Sequence, residues 1–348
     1  MRSSPDASRA FRRGWGRVFR APALVAGAWA VTWLVALPAA MAVRQAVRDH
    51  LGSSLASTRV AEGVDVEWWE EFRAQARGAA STLTPSVIGA AAPLSNWSSF
   101  VDGPRPPGPL VATVGAGVLA WIFLTGGLVD RLARARPVGA RAFFGACGVF
   151  FFRFLRLGIL AGAVYLLLAL PWHTVLFDRL YPWLTRNTSA ERVAFAWRVA
   201  LYLVWLLPLL AVNLVVDYAK VRAVVEDRRS MIGALAAGAR FAWRHPGSVI
   251  GLYVANTLVL AVGFAVYVLV APGVRGGTSG MLLALAAGQA WILARVATKL
   301  AFLSTSAALL QDGLSHAAYA APPVPIWPES PAAEAIDNAA RYGIRPPA

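Results

Sequence analysis

Long apolar runs alternating with arginine-rich bends leave this chain few folds to choose from. An α-helix needs about 20 apolar residues to cross a hydrocarbon core of about 30 Å. Inside that core each backbone N–H and C=O must be satisfied within the segment, so apolar runs of this length read as helical spans. Residues 213–246 show the pattern at its densest. An apolar run closes at Asp217, the mixed charges Lys220, Arg222, Glu226, Asp227, Arg228 and Arg229 follow, and apolar sequence resumes after Pro246. Basic residues beside a span are held on the cytoplasmic side, which fixes the direction of the neighbouring spans. Composition points the same way, with 57% hydrophobic and 15% charged residues, where soluble domains have about half and a quarter.

Six spans are expected. The first covers 21–43, behind a basic cytoplasmic segment 1–20 that carries Arg9, Arg12, Arg13, Arg17 and Arg20. A cleaved signal peptide is the competing reading, because Ala40-Met41-Ala42 resembles a small-residue cleavage site. Residues 44–109 balance acidic against basic side chains and are expected as one long outer loop with amphipathic helices. A five-span membrane domain, 110–312, continues the bundle. Its crossings are 110–129, 157–172 with a few flanking residues, 193–216, 247–271 and 281–310. Residues 142–152 are expected along the inner surface, 171–192 as a short outer loop and 313–348 as a disordered cytoplasmic tail. The fold class is all-α, a polytopic helical membrane protein with cytoplasmic run-in helices and both termini in the cytoplasm.

The net charge of +15 raises the question of nucleic acid. Its arginines flank apolar runs instead of lining a polar domain, so no nucleic acid is expected as a partner. The partner that fits is the anionic headgroups of membrane lipids on the cytoplasmic side, which attract juxtamembrane basic residues by about 1 kcal/mol each. One cysteine, Cys147, excludes an internal disulfide framework and a multi-cysteine metal site. The four histidines lie far apart, and no metal, cofactor or catalytic site is expected. Gly115-Ala116-Gly117 lies inside a span, where small residues allow close helix packing. Asn96-Trp97-Ser98 and Asn187-Thr188-Ser189 are glycosylation acceptor strings.

Charges within spans are costly, about 2.5–3.5 kcal/mol each on insertion scales, and point to candidate sites. Arg153, Arg156, Arg295 and Lys299 are such charges, and Asp217 closes the fourth span near their level. They are expected as an inner-leaflet cluster in which Asp217 faces Lys299 or Arg295. Snorkelling of long side chains to the interface is the alternative. Asp217, Glu226 and Asp227 also read as partners of Lys220, Arg228 and Arg229. In the outer loop, Trp68 and Trp69 suit either the headgroup level or a helix capping the span ends.

The ends of the second and fourth spans echo each other. Leu128-Val129-Asp130 and Val215-Val216-Asp217 are each followed by basic residues, a small-residue run and an arginine before the next span. Arg20-Ala21-Pro22 echoes Arg244-His245-Pro246. Three hairpins, each a run-in helix with a span out and a span back, would account for both echoes.

Residues 217–246, with VDYAKVR, the acidic-basic knot, a small-residue helix and Arg-His-Pro, resemble a group of bacterial six-span inner-membrane proteins. The stretch is similar to the membrane domain that accompanies some glycerophosphodiester phosphodiesterases. That resemblance implies a membrane module without the phosphodiesterase chemistry, which in that family resides in a separate soluble barrel. The expectation is a non-enzymatic inner-membrane protein of the cell envelope, either a transport-related subunit or a lipid-interacting scaffold. A membrane-embedded enzyme acting on lipid headgroups is the alternative.

Overall fold

A computed structural model describes residues 6–52, 54–63, 65–83, 108–271 and 278–317. Every regular element among them is helical. In chain order these are α1 (Ala7–Phe19), α2 (Pro22–Leu51), α3 (Ala56–Glu62), α4 (Val66–Gln75), a 3₁₀ turn at Gly78–Thr82, α5 (Gly108–Arg134), α6 (Ala140–Leu167), α7 (Glu191–Val225), α8 (Met231–Arg244), α9 (Pro246–Val270) and α10 (Thr278–Ala317). Six helical stretches are long and apolar enough to cross a membrane: α2, α5, α6 with its continuation, α7, α9 and α10. Their apolar surface stays largely uncovered by protein, with only 6% of the most apolar windows of α2 and α10 buried. Water does not tolerate so much contiguous apolar surface. The chain is an integral, multi-pass membrane protein.

Helix boundaries follow proline and glycine. Ala21 (φ −130°, ψ 55°) and His245 (φ −130°, ψ 52°) adopt almost the same non-helical conformation. Each precedes a proline, Pro22 or Pro246, at the first turn of the next helix, where the missing N–H costs nothing. Gly52, with φ +47°, ends α2. At the end of α7, Asp227 takes φ 45° and the Arg228 N–H donates to the Ala223 carbonyl at 3.1 Å. This is the left-handed closure that usually takes glycine or asparagine. Ser230 caps α8, its hydroxyl accepting from the Gly233 N–H at 3.2 Å.

Four expectations need correction. Residues 142–152 are not a separate surface element; they open the continuous helix α6, because no proline breaks the chain between Gly139 and Leu170. Residues 171–185 are not a loop either. Helix α6 continues through wide π-helical turns at Leu168–Trp172 and Val175–Leu180 into Tyr181–Thr185. A proline ring collides with the carbonyl four residues back, and widening the helix relieves that collision at Pro171 and Pro182. The Leu168 carbonyl is taken up by the indole N–H of Trp205 at 2.9 Å. Helix α2 runs on past residue 43 to Leu51, since nothing from Arg44 to Leu51 breaks a helix. Helix α10 extends past 312 to Ala317. The Asn96 string, with residues 84–107 of the outer loop, residues 272–277 and the tail from residue 318 lie outside the described residues.

The chain divides into two compact units. One comprises Met1–Arg17, Ile122–Val254 and Phe302–Ala348; the other comprises Val18–Trp121 and Ala255–Ala301. In the first unit, Val129, Val221, Phe241, Leu252, Leu303 and Leu309 share one buried cluster. Helix α1 lies against α10 so closely that a Cβ on Gly14 would sit 2.6 Å from Thr305 Cα. The Ser304 hydroxyl donates to the Gly14 carbonyl at 3.0 Å. Helix α8 lies as tightly on α7, where a Cβ on Gly238 would meet the Val215 carbonyl at 3.1 Å. Gly127 of α5 gives the same close approach to Phe143 and Cys147 of α6.

In the second unit, the indole N–H groups of Trp29 and Trp33 both donate to the Gln289 side-chain oxygen, at 2.9 and 2.7 Å. Two donors on one amide oxygen satisfy polar groups that lipid could not. Trp291 stacks on Tyr267 with ring centroids 5.7 Å apart.

Candidate functional site

In the first unit three span ends carry a buried aspartate: Asp130 in α5, Asp217 in α7 and Asp312 in α10. Each has its own cation. Arg134, one turn on, donates to Asp130 at 2.8 Å, and Lys220 donates to Asp217 at 2.8 Å. Arg13 of α1 reaches Asp312 at 2.7 Å, while Arg17 donates to the Gln311 side chain at 2.8 Å and to the Leu132 carbonyl at 3.3 Å. Burial holds the Arg17 guanidinium below its ordinary pKa. A buried carboxylate without a partner would be costly, and each of these cations offsets that cost.

The remaining acids of the α7–α8 turn are also occupied. Arg153 of α6 donates to Asp227 at 2.5 Å. Glu226 accepts from Arg228 and lies 3.5 Å from Arg222 Nε. The Arg222 guanidinium rests over the Phe241 ring at 5.6 Å, and Phe241 is held between Tyr218 and His245. The charges of Arg228, Arg240 and Arg244 all act on Arg222. Arg228, Arg240 and Arg244 therefore crowd Arg222, and Glu226 pairs with Arg222 and Arg228.

Helix α8 presents two faces. Met231, Ala234, Ala237, Gly238 and Phe241 are buried, whereas Ile232, Ala236, Ala239 and Trp243 form an exposed apolar stripe. Trp243 is 88% exposed and Ile232 70%. Arg240 and Arg244, one turn apart on this helix, are exposed beside the stripe.

A polar chain lies among the spans of the same unit. The Asn213 amide donates to the Tyr253 hydroxyl, and the Tyr165 hydroxyl lies 3.5 Å from the Asn213 side-chain oxygen. Asn213 stands one turn before Asp217 on α7.

The five charges expected as one cluster have these surroundings. Asp217 is engaged by Lys220, and Arg153 by Asp227, with the Arg153 guanidinium 5.1 Å above the Phe150 ring. Arg156 is exposed on α6. In the second unit, Arg295 is exposed and the Lys299 ammonium sits 3.9 Å over the Trp121 ring. Asp217 with Lys220 and Glu226 with Arg228 are the local pairings that the sequence suggests. Asp227 pairs instead with Arg153, on another helix. Sequence reasoning passed over Arg240 and Arg244, although their four-residue spacing beside Trp243 was a usable signal. Trp68 is half-buried, stacked on Phe72 at 5.2 Å and edge-on to His50 at 5.9 Å, so α4 packs against the end of α2.

Comparison with protein families, with characterised proteins and with solved structures found no match.

Proposed function

We propose that this chain is a non-enzymatic module of a bacterial inner membrane, a lipid-interacting scaffold with both termini in the cytoplasm, and that it works by gathering anionic headgroups on that side. One observation carries the reading. The acidic groups at the span ends of the first unit are taken up by partners within the protein, yet Arg12, Arg131, Arg141, Arg229, Arg240 and Arg244 have no ion-pair or hydrogen-bond partner among the described residues. Unspent positive charge beside apolar spans attracts the anionic leaflet. The likeness of residues 217–246 to a membrane domain that works beside a separate enzyme fits such a role.

Lipid retention tests it. Protein extracted from a membrane of mixed phosphatidylethanolamine and phosphatidylglycerol is expected to keep the anionic lipid well above its bulk share. Retained lipid that mirrors the bulk mixture would end the reading. The Tyr165–Asn213–Tyr253 chain is the feature that favours a transport-related role instead. Under that reading Asn213→Leu abolishes solute flux in vesicles, whereas under the scaffold reading anionic-lipid retention survives it.

A further inference from the structure

Within that reading, on which this inference rests, we propose that Arg222, Arg228, Arg240 and Arg244 form a seat for one phosphate group, with the Trp243 stripe of α8 lying in the plane of the membrane surface beside it. The four cations come from three successive pieces of chain: the last turn of α7, the α7–α8 turn and the exposed face of α8. Among the described residues Glu226 pairs with Arg222 and Arg228, while Arg240 and Arg244 have no ion-pair partner. The Arg222 Nε is buried and makes no hydrogen bond among the described residues. Its nearest acceptor, Glu226 Oε1 at 3.5 Å, is an ion-pair partner beyond good hydrogen-bond length, and the guanidinium, on a side chain 15% exposed, keeps the capacity to bind a phosphate oxygen. The backbone positions that carry the four cations are fixed. Gly238 clamps α8 on α7, Phe241 underlies Arg222, and the left-handed Asp227, tied to Arg153, sets the turn that carries Arg228.

The phosphate could belong to a phospholipid or be free in solution, and the chemistry of the seat is common to both. Helix α8 tells in favour of the lipid. A tryptophan and an isoleucine left exposed on an amphipathic helix, with two arginines at their flank, match a helix whose apolar face enters the headgroup boundary. A soluble anion would gain nothing from that stripe.

The full chain, purified in a neutral detergent, is titrated with phosphatidylglycerol, with phosphatidylcholine and with inorganic phosphate, and bound molecules are counted by native mass spectrometry. One phosphatidylglycerol is expected to bind each chain. Arg240→Ala with Arg244→Ala is expected to weaken that one site by about a hundredfold, each lost charge-assisted contact accounting for about tenfold or more. A pair matched in charge in the outer segment, Arg73→Ala with Arg77→Ala, both exposed, keeps it. Circular dichroism of both doubles reports folding, and neither touches the buried face of α8. Trp243→Ala weakens lipid binding and leaves inorganic phosphate unaffected if the source is lipid. Equal binding of inorganic phosphate and lipid supports the seat and assigns it to a soluble anion. If the Arg240/Arg244 double retains the bound lipid, or the Arg73/Arg77 double loses it equally, the seat is wrong while the scaffold reading stands. If phosphatidylcholine binds as well as phosphatidylglycerol to the unmodified chain, the scaffold reading itself fails.

Discussion

Gly14→Ala and Gly16→Ala make a paired test of how α1 is held. A Cβ at residue 14 would lie 2.3 Å from Thr305 Cγ2, 2.6 Å from its Cα and 2.7 Å from its N, whereas a Cβ at residue 16 meets no atom within 4 Å. Carbon atoms settle about 3.5–4.0 Å apart, so α1 must retreat by about 1 Å to admit the methyl group. Two of the three obstructing atoms are backbone, and a rotamer change cannot clear them. Forcing extra carbon into a packed contact costs about 1–3 kcal/mol. The retreat also lengthens the 3.0 Å bond from Ser304 to the Gly14 carbonyl and loosens Arg13 from Asp312. Arg13 is half-exposed, and solvent screening limits that second loss to about 1 kcal/mol. The sum is about 2–4 kcal/mol for undocking α1. Trypsin cuts at Arg9, Arg12 and Arg13 only when α1 is free, so Gly14→Ala is expected to raise the cleavage rate by about 30-fold or more. Gly16→Ala removes a flexible residue from a helix and is expected to leave the rate unchanged or lower. Equal rates for the two variants would refute the close approach.

The Arg59–Asp65 pair gives a pH prediction. Hydrogen bonds from the Arg59 Nε at 2.5 Å and the Trp68 N–H at 3.1 Å hold the Asp65 carboxyl below its ordinary pKa. A depressed carboxyl contributes stability that is present above the ordinary value of about 3.9 and fades as pH falls through the lower, folded value. An environment-sensitive dye on Ala74→Cys should therefore report a constant α3–α4 segment from pH 7 to pH 5 and loosening only below about pH 4; loosening near neutral pH would contradict this. Trp205→Phe strips the Leu168 carbonyl of its donor and is expected to cost about 1 kcal/mol in thermal unfolding. Faster hydrogen exchange at residues 168–174 should accompany it, and unchanged stability would show that the π-helical turns do not depend on Trp205.

The spans were legible because their constraint is local. Length and hydropathy suffice, and Pro22, Pro137 and Pro246 mark helix boundaries. Pro171 misleads for a non-local reason: Trp205, on α7, supplies the donor that lets the helix pass as a widened turn. The stretch from Arg44 to Leu51 was lost because charge suggested a loop, although each of its residues tolerates a helix. At the site, the Asp217–Lys220 pair was readable from its spacing along one helix face. The Arg153–Asp227 and Arg13–Asp312 pairs were not, since folding must first bring distant segments together. The crowding of arginines around Arg222 was equally invisible, because it depends on α8 turning back onto α7 at Gly238. The matching breaks at Ala21 and His245 show how a three-residue echo can carry a backbone conformation.

The most direct measurement is which side of the membrane each end of the molecule faces. Single cysteines at Ala74 in α4 and at Trp243 in α8 are challenged with a membrane-impermeant maleimide in intact cells, with Cys147 buried in both. Labelling at residue 74 from outside, with residue 243 labelled only after lysis, is the result the account predicts. Labelling at residue 243 in intact cells would put the arginines outdoors and contradict it.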